Sequence, residues 1–436
     1  METLIPSMVV LGLLILWLTL GVWLFAGLML VGVTGLMLVL GMPLQQIGSI
    51  MKGTMWTSAN TWELSAVPLF IWMGELVYRS DISERLFRGL EPWVDLLPGR
   101  LLHANVAGST LFAAVSGSSA ATTATIGKIT INKLLERKYD NSLSIGSLCG
   151  AGALGIMIPP SIVMIIYGIL TDTSIARLFA AGIFPGLLAA GCYSGYIMVV
   201  AMMNPSVAPA PPQRFTWGDR IRALVDLAPV LILMLIVLGG IYTGVVTPSE
   251  AAALGLVATI VIVIVMGQFR WRTMIDTLQG SVSLTSMIMT IVVAAAFLSA
   301  TIAYMHLPQQ LAAFISTLEI GPYALIAILG VFYIIIGLAL EGVSIFVTTL
   351  PIAFPLIVHA GFDPVWFGVF LVIMVELGTV SPPVGFNLFI LQGLTGQSMA
   401  RVSRASAPFA LLLLATAVLL VIFPGIALWL PGLLYD

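Results

Sequence analysis

The stretch Gly155-Ile-Met-Ile-Pro-Pro160 returns more than two hundred residues later as Gly378-Thr-Val-Ser-Pro-Pro383, each time inside a long apolar run. A proline has no backbone N–H, so it cannot continue a helix without freeing the carbonyl four residues earlier. A freed carbonyl at membrane depth needs a partner, and paired interruptions of this kind can hold cations near the midplane of a membrane protein. The two stretches therefore predict two broken transmembrane helices, at 142–170 and 365–394.

The composition is typical of a membrane protein. Hydrophobic residues make up 60% of the 436 residues, charged residues make up 8%, and the mean hydropathy is +1.11. Several apolar runs reach or approach the roughly 20 residues that cross a hydrocarbon core. The run from Val9 to Leu40 is too long for a cleavable signal peptide and predicts two linked spans. We therefore expect an all-α polytopic membrane protein.

A proline-rich polar connection near the middle divides the chain into two similar halves. Each double proline is followed by a related octet, Leu170-Thr-Asp-Thr-Ser-Ile-Ala-Arg177 in one half and Leu394-Thr-Gly-Gln-Ser-Met-Ala-Arg401 in the other. We interpret the halves as two structural repeats. The predicted divisions are a first repeat at 1–202, a cytoplasmic linker at 203–222 and a second repeat at 223–436.

The positive charges indicate how the two repeats are oriented. Of the 17 Lys and Arg residues, 15 lie in the segments 79–100, 128–138, 214–222, 270–272 and 401–404. Basic loops stay in the cytoplasm. Arg401 lies in a basic loop, whereas Arg177 is a lone charge between two apolar runs, so we expect the repeats to be inverted.

Two more segments predict re-entrant helical hairpins. Segments 100–127 and 322–357 are too short for two full spans and are interrupted by Gly, Ser or Pro. The basic residues after the first hairpin predict that it enters from the cytoplasm, and the second should enter from the opposite side. Irregular backbone at membrane depth must be shielded from lipid by protein or by a water-filled cavity. The hairpin tips should therefore meet the broken helices. Leu44 to Asn60 and Gln268 to Gln279 predict helices along the interface.

Hard cations such as Na⁺ prefer carbonyl, hydroxyl and carboxylate oxygens. Such oxygens cluster in two sets, and a few hydroxyl and amide groups between them could face an organic substrate. The first sodium site is predicted at Ser116, Ser118, Ser119, Gly155, Ile158 and Pro160; the second at Gly342, Ser344, Gly378, Thr379, Ser381 and Pro383; and the substrate contacts at Thr122, Thr123 and Asn387. The alternative is that small residues only let helices approach and that prolines only kink them.

Glu341 and Glu376 are the acidic residues deepest in apolar sequence. An intramembrane carboxylate is a candidate for a proton or cation path, and the alternative is an interhelical hydrogen bond. The three histidines have no metal-like spacing, and neither a Gly-x-Ser-x-Gly elbow nor a Gly-Lys-Ser/Thr phosphate loop occurs. We therefore expect no enzyme, no direct use of ATP, no organic cofactor and no metal other than sodium.

Several motifs in order along the chain resemble one family. They are Pro68-Leu-Phe-Ile-Trp-Met-Gly-Glu75, Ser116-Gly-Ser-Ser-Ala-Ala-Thr122, Gly155-Ile-Met-Ile-Pro-Pro-Ser161, Ala181-Gly-Ile-Phe-Pro-Gly186, Gly240-Ile-Tyr-Thr-Gly-Val-Val-Thr-Pro-Ser-Glu-Ala-Ala252 and Glu376-Leu-Gly-Thr-Val-Ser-Pro-Pro-Val-Gly385. Together they resemble the large membrane subunit of tripartite ATP-independent periplasmic (TRAP) transporters.

The resemblance implies a sodium-driven importer of organic acids such as C4-dicarboxylates or sialic acid, in a bacterial inner membrane, with both termini periplasmic. It implies two sodium sites at the hairpin tips and broken helices, which move together as an elevator past a scaffold. It also implies two partners, a separate small four-helix membrane subunit and a soluble periplasmic binding protein that delivers the substrate.

Other functions are left open by the residues. A standalone sodium- or proton-coupled carboxylate transporter of similar hairpin design would need no binding protein, and uptake by this chain alone would favour it. A membrane enzyme acting on lipid-linked substrates would need a catalytic constellation. Turnover of such a lipid by the purified chain would support this alternative. A channel is disfavoured because two hairpins that enter from opposite sides suit alternating access better than a continuous pore.

Overall fold

The computed structural model describes residues 5–209, 215–317, 320–338, 340–383 and 385–435. The described residues form helices and connections without a strand. Residues 210–214 of the predicted linker and residue 339 of the second predicted hairpin lie outside them. The α-helices before the linker are α1 (Ile5–Thr19), α2 (Leu24–Leu40), α3 (Leu44–Ala59), α4 (Ala66–Arg79), α5 (Ile82–Val94), α6 (Leu102–Ser116), α7 (Ser119–Glu136), α8 (Asn141–Met157), α9 (Ile162–Thr171) and α10 (Ile175–Met203).

The helices after residue 214 continue to the end of the described chain, and the first of them begins inside the predicted linker at 203–222. They are α11 (Trp217–Met234), α12 (Gly240–Tyr242), α13 (Pro248–Val265), α14 (Trp271–Tyr304), α15 (Leu307–Thr317), α16 (Pro322–Gly337), α17 (Gly342–His359), α18 (Pro364–Val380), α19 (Phe386–Thr395), α20 (Met399–Ile422) and α21 (Gly425–Tyr435). A π-helical turn at Leu235–Gly239 joins α11 to α12.

Seven helical segments within the described ranges are long and apolar enough to cross a bilayer. They are Asn141–Thr171, Ile175–Met203, Trp217–Tyr242, Pro248–Val265, Trp271–Tyr304, Gly342–His359 and Met399–Ile422. The expectation of an all-helical polytopic membrane protein is confirmed.

Each half contains two helices that meet at a short turn and one helix interrupted at a double proline. The pair α6 and α7 occupies the first predicted hairpin, although α7 runs past the predicted end at 127 to Glu136, and α16 and α17 occupy the second. The interruptions lie between α8 and α9 and between α18 and α19, and both Pro-Pro peptide bonds are cis. The positions of the breaks follow from the missing proline N–H groups.

The two helices that precede the breaks form the centre of the molecule. Every residue from Leu143 to Met157 in α8 and from Val365 to Val380 in α18 is buried. A helix that is apolar around its whole circumference belongs inside a protein rather than at its surface. The helices α6, α7, α10 and α20 pack against α8, and α16, α17 and α20 pack against α18.

One of the two predicted interfacial helices is not a separate element. Leu44–Ala59 forms the separate helix α3, but most of Gln268 to Gln279 is the beginning of α14. At 1.5 Å per residue, the 34 residues of α14 extend for about 51 Å. That length exceeds a hydrocarbon core of roughly 30 Å, so the polar first turns continue one long helix instead of forming their own.

Candidate functional site

The turn between α6 and α7 lies directly on the first helix break. Helix α6 ends at Ser116 and is capped by Gly117, whose φ of 61° is in the left-handed region that favours glycine. A Cβ atom on Gly117 would lie 2.9 Å from the carbonyl oxygen of Pro160. The next helix begins at once, because the Ser118 hydroxyl accepts a hydrogen bond from the N–H of Ala121 at 3.3 Å. This turn, residues 116–119, is called the first tip below.

Gly155 lets α8 approach the first tip closely. A Cβ atom there would lie 2.6 Å from the Ser118 carbonyl oxygen and 2.7 Å from the Cα of Ser119. The carbonyl groups of Gly155 and Ile156 receive no helical hydrogen bond from Pro159 and Pro160, because proline has no N–H. The first tip therefore lies beside free carbonyl groups at the break.

The side chains of the other residues predicted around this break are paired, buried or packed against another helix in this structure. Ser116 and Thr122 form a hydrogen bond between their hydroxyls at 2.9 Å, and the Thr122 hydroxyl is also 2.8 Å from the Ser118 carbonyl oxygen, to which it can donate. Thr122 and Thr123 are both fully buried, so a substrate could reach them only after the tip moves. The side chain of Ile158 packs on Gly186 of α10, which leaves only its backbone for a cation.

The turn before α17 lies between the two broken helices. The Glu341 carboxylate accepts a hydrogen bond from the N–H of Val343 at 3.2 Å and caps the helix. A Cβ atom on Gly342 would lie 3.6 Å from Val375 of α18 and 3.8 Å from Ile156 of α8. This turn, residues 341–344, is called the second tip. It thus contacts both halves of the chain.

The second break is more open than the first. Gly378 of α18 meets Gly337 of α16, where a Cβ atom on Gly378 would lie 2.6 Å from the Cα of Gly337. Ser381 is half-buried and Pro383 is exposed, whereas Thr379 is buried. The oxygen groups within this break are therefore backbone carbonyls, the buried Thr379 hydroxyl and the half-buried Ser381 hydroxyl.

A buried polar network joins the first tip to the second break. The Ser119 hydroxyl lies 3.0 Å and the Thr379 hydroxyl 2.9 Å from Oε2 of Glu376, and both can donate to it. The Asn387 side-chain amide donates to Ser119 Oγ at 2.7 Å and to Thr379 Oγ1 at 3.3 Å. Ser119 Oγ also lies 3.1 Å from the carbonyl oxygen of Gly152 in α8. These five residues, called the junction network, come from α7, α8, α18 and α19.

The junction network differs from the grouping that the sequence predicts. Ser119 was expected at the first sodium site, Thr379 at the second and Asn387 beside the substrate, yet hydrogen bonds connect their side chains. The role of Glu376 was open, and Gly152 was not predicted at all. The position of Glu376 in an otherwise apolar run already marks it as a candidate functional residue. Gly152 is one of several glycines in α8, so the sequence does not distinguish it.

Each tip borders a cavity on the side of α14. The cavity beside the first tip has a volume of about 260 Å³ and is lined by Ser116, Ser118, Glu75 and Leu284, among others. The cavity beside the second tip has a volume of about 550 Å³, and its polar lining groups are Glu341, Ser344, Ser286 and Thr290. Residues of neighbouring turns of α14 thus line both cavities.

The family model described as the tripartite ATP-independent periplasmic transporter, DctM component, matches residues 11–426. The chain belongs to this family. The expectation of a TRAP large membrane subunit is confirmed. The C4-dicarboxylate TRAP transporter large permease protein DctM of Pseudomonas aeruginosa is 34% identical over 376 residues, which are 86% of this chain and 87% of that protein.

The TRAP permease relatives do not share one named substrate. The ectoine/5-hydroxyectoine TRAP transporter large permease protein UehC of Ruegeria pomeroyi is 33% identical over 374 residues, which are 86% of this chain and 87% of that protein. Among solved structures, the Alcanivorax borkumensis YdaH transporter matches with a TM-score of 0.62 at 15% identity, covering 89% of this chain and 90% of that one. At that identity the likeness concerns the fold. Both of the named permease relatives are TRAP transporter large permeases.

Proposed function

We propose that this TRAP large permease is the membrane-spanning part of a sodium-coupled importer of an organic acid, such as a C4-dicarboxylate, sialic acid or a similar carboxylate. The observation that carries the proposal is the position of the first tip on the first helix break, where backbone carbonyl oxygens and serine hydroxyls lie close together. Oxygen groups of this kind suit Na⁺.

The proposed sodium sites follow the two breaks. The first would use hydroxyls of the first tip and the carbonyls of Gly155 and Ile158 before Pro160. The second would use Gly342, Ser344 and the backbone around Gly378, Thr379, Ser381 and Pro383. Sodium would supply the driving force, and no organic cofactor is proposed.

The substrate would bind in the cavities between the tips and α14. The cavity volumes of about 260 and 550 Å³ suit a small organic acid. Asn387 of the junction network, together with Thr122 and Thr123, would come within reach of substrate when the tips move. Both tips and both broken helices would move together as an elevator past α14 and the remaining helices.

The proposed assembly has three parts. A separate small four-helix membrane subunit would flank the scaffold, and a soluble periplasmic binding protein would deliver the acid. The loop charges favour a bacterial inner membrane orientation in which the basic segments face the cytoplasm and both termini face the periplasm. The two repeats, 1–202 and 223–436, would be inverted about the linker.

Uptake into proteoliposomes tests the proposal. The chain would be reconstituted with its small subunit and binding protein, and labelled dicarboxylate, sialic acid and ectoine would be offered under an inward sodium gradient or an equal potassium gradient. We expect uptake only with sodium, and Ser344→Ala should raise the half-saturating sodium concentration by about tenfold, which corresponds to about 1.4 kcal/mol. Ser206→Ala, in the exposed turn after α10, is the matched control.

Two results would redirect the proposal. Equal uptake in sodium and potassium would refute sodium coupling. Uptake by this chain without the other two components would instead support a standalone carboxylate transporter.

A further inference from the structure

The junction network contains a carboxylate without a cationic partner. Glu376 is only 1% exposed, and no Lys, Arg or His in the described ranges forms an ion pair with it. Its hydrogen-bond partners are the neutral hydroxyls of Ser119 and Thr379. A buried charge without an opposite charge costs several kcal/mol, so this environment favours either a proton on the carboxylate or a cation beside it.

The network also has more acceptor oxygens than hydrogens to share between them. The single hydroxyl hydrogen of Ser119 faces both Oε2 of Glu376 and the carbonyl of Gly152. The single hydroxyl hydrogen of Thr379 faces both Oε2 and the backbone carbonyl oxygen of Glu376, each at 2.9 Å. A hydroxyl can donate only once, so each leaves one oxygen without that hydrogen. A cation would interact with all of these oxygens at once.

Asn387 can add a further oxygen to this network by rotation of its side-chain amide. Its side chain is 1% exposed, and its Oδ1 has no hydrogen-bond partner among the described residues. Buried polar atoms are nearly always paired, so an unpaired amide oxygen needs an explanation. The two ends of an amide are similar in size. A half rotation of the group would bring Oδ1 to the position of Nδ2, 2.7 Å from Ser119 Oγ and 3.3 Å from Thr379 Oγ1.

We propose that the junction network is a further monovalent-cation site, in which the Glu376 carboxylate and the side-chain oxygens of Ser119, Thr379 and Asn387 hold one Na⁺. The carbonyl oxygen of Gly152 lies within the same set. All of these ligands are oxygens, as a hard cation requires. The described residues contain no group of three or more His, Cys, Asp or Glu residues that would suit a transition metal. This proposal rests on the proposed sodium coupling and adds a third ion to it.

The site would link the two halves of the permease. Ser119 and Glu376 are 257 residues apart and belong to different halves. The ligand set is complete only while the first tip lies against α18 and α19. Binding of this ion would therefore hold the first tip to the second broken helix. The side chains of Ser119 and Thr379 would serve this site, and the hydroxyls of Ser116, Ser118 and Ser344 would serve the sites at the two breaks together with backbone groups.

Sodium binding to the full-length permease in complex with its small subunit tests the proposal. Bound radiolabelled sodium would be counted, and the melting temperature would be recorded as sodium replaces potassium, because a ligand of the folded state stabilises it. We expect Glu376→Gln to bind one sodium ion fewer than the wild type and to lose the response at the lowest sodium concentrations. Glu136→Gln changes an exposed carboxylate at the far end of α7 and should match the wild type in both measurements.

A second variant covers the case in which Glu376→Gln does not fold. Thr379→Val keeps the carboxylate and the side-chain shape but removes one ligand oxygen, and we expect it to weaken sodium binding at one site by about tenfold while the other sites are unchanged.

The outcomes separate this inference from the proposed function. If wild type shows no sodium-selective binding or stabilisation, sodium coupling itself fails. If wild type responds to sodium and Glu376→Gln binds the same number of ions with the same affinity, sodium coupling stands and the junction site is refuted. In that case the carboxyl group is held neutral by a proton and serves only as a hydrogen-bonding group.

Discussion

The contact between Gly155 and the first tip gives the sharpest prediction about stability and sodium binding. In Gly155→Ala the new methyl group would lie 2.6 Å from the Ser118 carbonyl oxygen, 2.7 Å from the Cα of Ser119 and 2.8 Å from Thr122 Oγ1. Two of these atoms belong to the backbone and cannot move aside by a change of rotamer. The first tip must therefore shift away from α8.

The magnitude follows from two opposing effects. Overpacking of a tight contact costs about 1–3 kcal/mol. Replacing a glycine inside a helix by alanine contributes about 0.5–1 kcal/mol in the opposite direction. Because the contact is with backbone, we expect the cost to dominate, with a net loss of about 1–2 kcal/mol and weaker binding at the first sodium site.

Gly195→Ala is the matched control for this substitution. Gly195 lies in the interior of α10, and a Cβ atom there would have nothing within 4 Å. This variant should therefore gain about 0.5–1 kcal/mol from helix propensity alone. Its sodium response should equal that of the wild type.

The assay is thermal unfolding of the purified permease in sodium and in equal potassium. Gly155→Ala should melt below Gly195→Ala in both salts, and the difference between salts should shrink in Gly155→Ala only. If the two variants melt at the same temperature and both keep the wild-type sodium response, the close packing of the first tip against α8 is refuted.

Three more predictions concern contacts that hold the breaks and helix ends. Gly378→Ala would bring a methyl group within 2.6 Å of the Cα of Gly337, and it should lower stability by about 1–3 kcal/mol in thermal melts; an unchanged melt would contradict the crossing of α16 and α18. Tyr167→Phe removes a 2.6 Å hydrogen bond to the carbonyl of Pro364 and should cost about 0.5–1.5 kcal/mol, measured in the same way, and a gain would argue against this contact. Thr247→Ala removes the capping box of α13 and should cost about 1 kcal/mol, with no change in the difference between sodium and potassium melts.

The breaks and turns could be predicted from sequence because their causes are local. Pro159-Pro160 and Pro382-Pro383 must interrupt a helix wherever they occur in one, and Gly117 suits the left-handed turn that ends α6. The all-helical membrane class follows from composition for the same reason. By contrast, the polar segment after Gln268 could form either a separate interfacial helix or the first turns of α14, since polarity alone does not specify where a helix begins.

The junction network could not be derived from sequence because it depends on packing between distant segments. Nothing near Ser119 indicates that its hydroxyl turns to Glu376 and not to its neighbours Ser116 and Ser118. The spacing of Thr379 and Asn387 places them on opposite sides of a break whose geometry decides whether they meet. A hydroxyl-rich segment thus identifies candidate ligands, but only the folded structure shows which of them share one site.

The contacts between the halves favour movement of both tips as one body. The first tip reaches the second half through the hydrogen bond from Ser119 to Glu376, and the second tip reaches the first half through Gly342 beside Ile156. Each tip is therefore held by the broken helix of the other half as well as by its own. A tip that moved alone would lose these contacts and expose the buried Glu376 carboxylate, which costs free energy unless the whole set moves together. The proposed elevator requires such contacts between the halves, because a substrate bound beside the tips must move together with the tip residues that bind it.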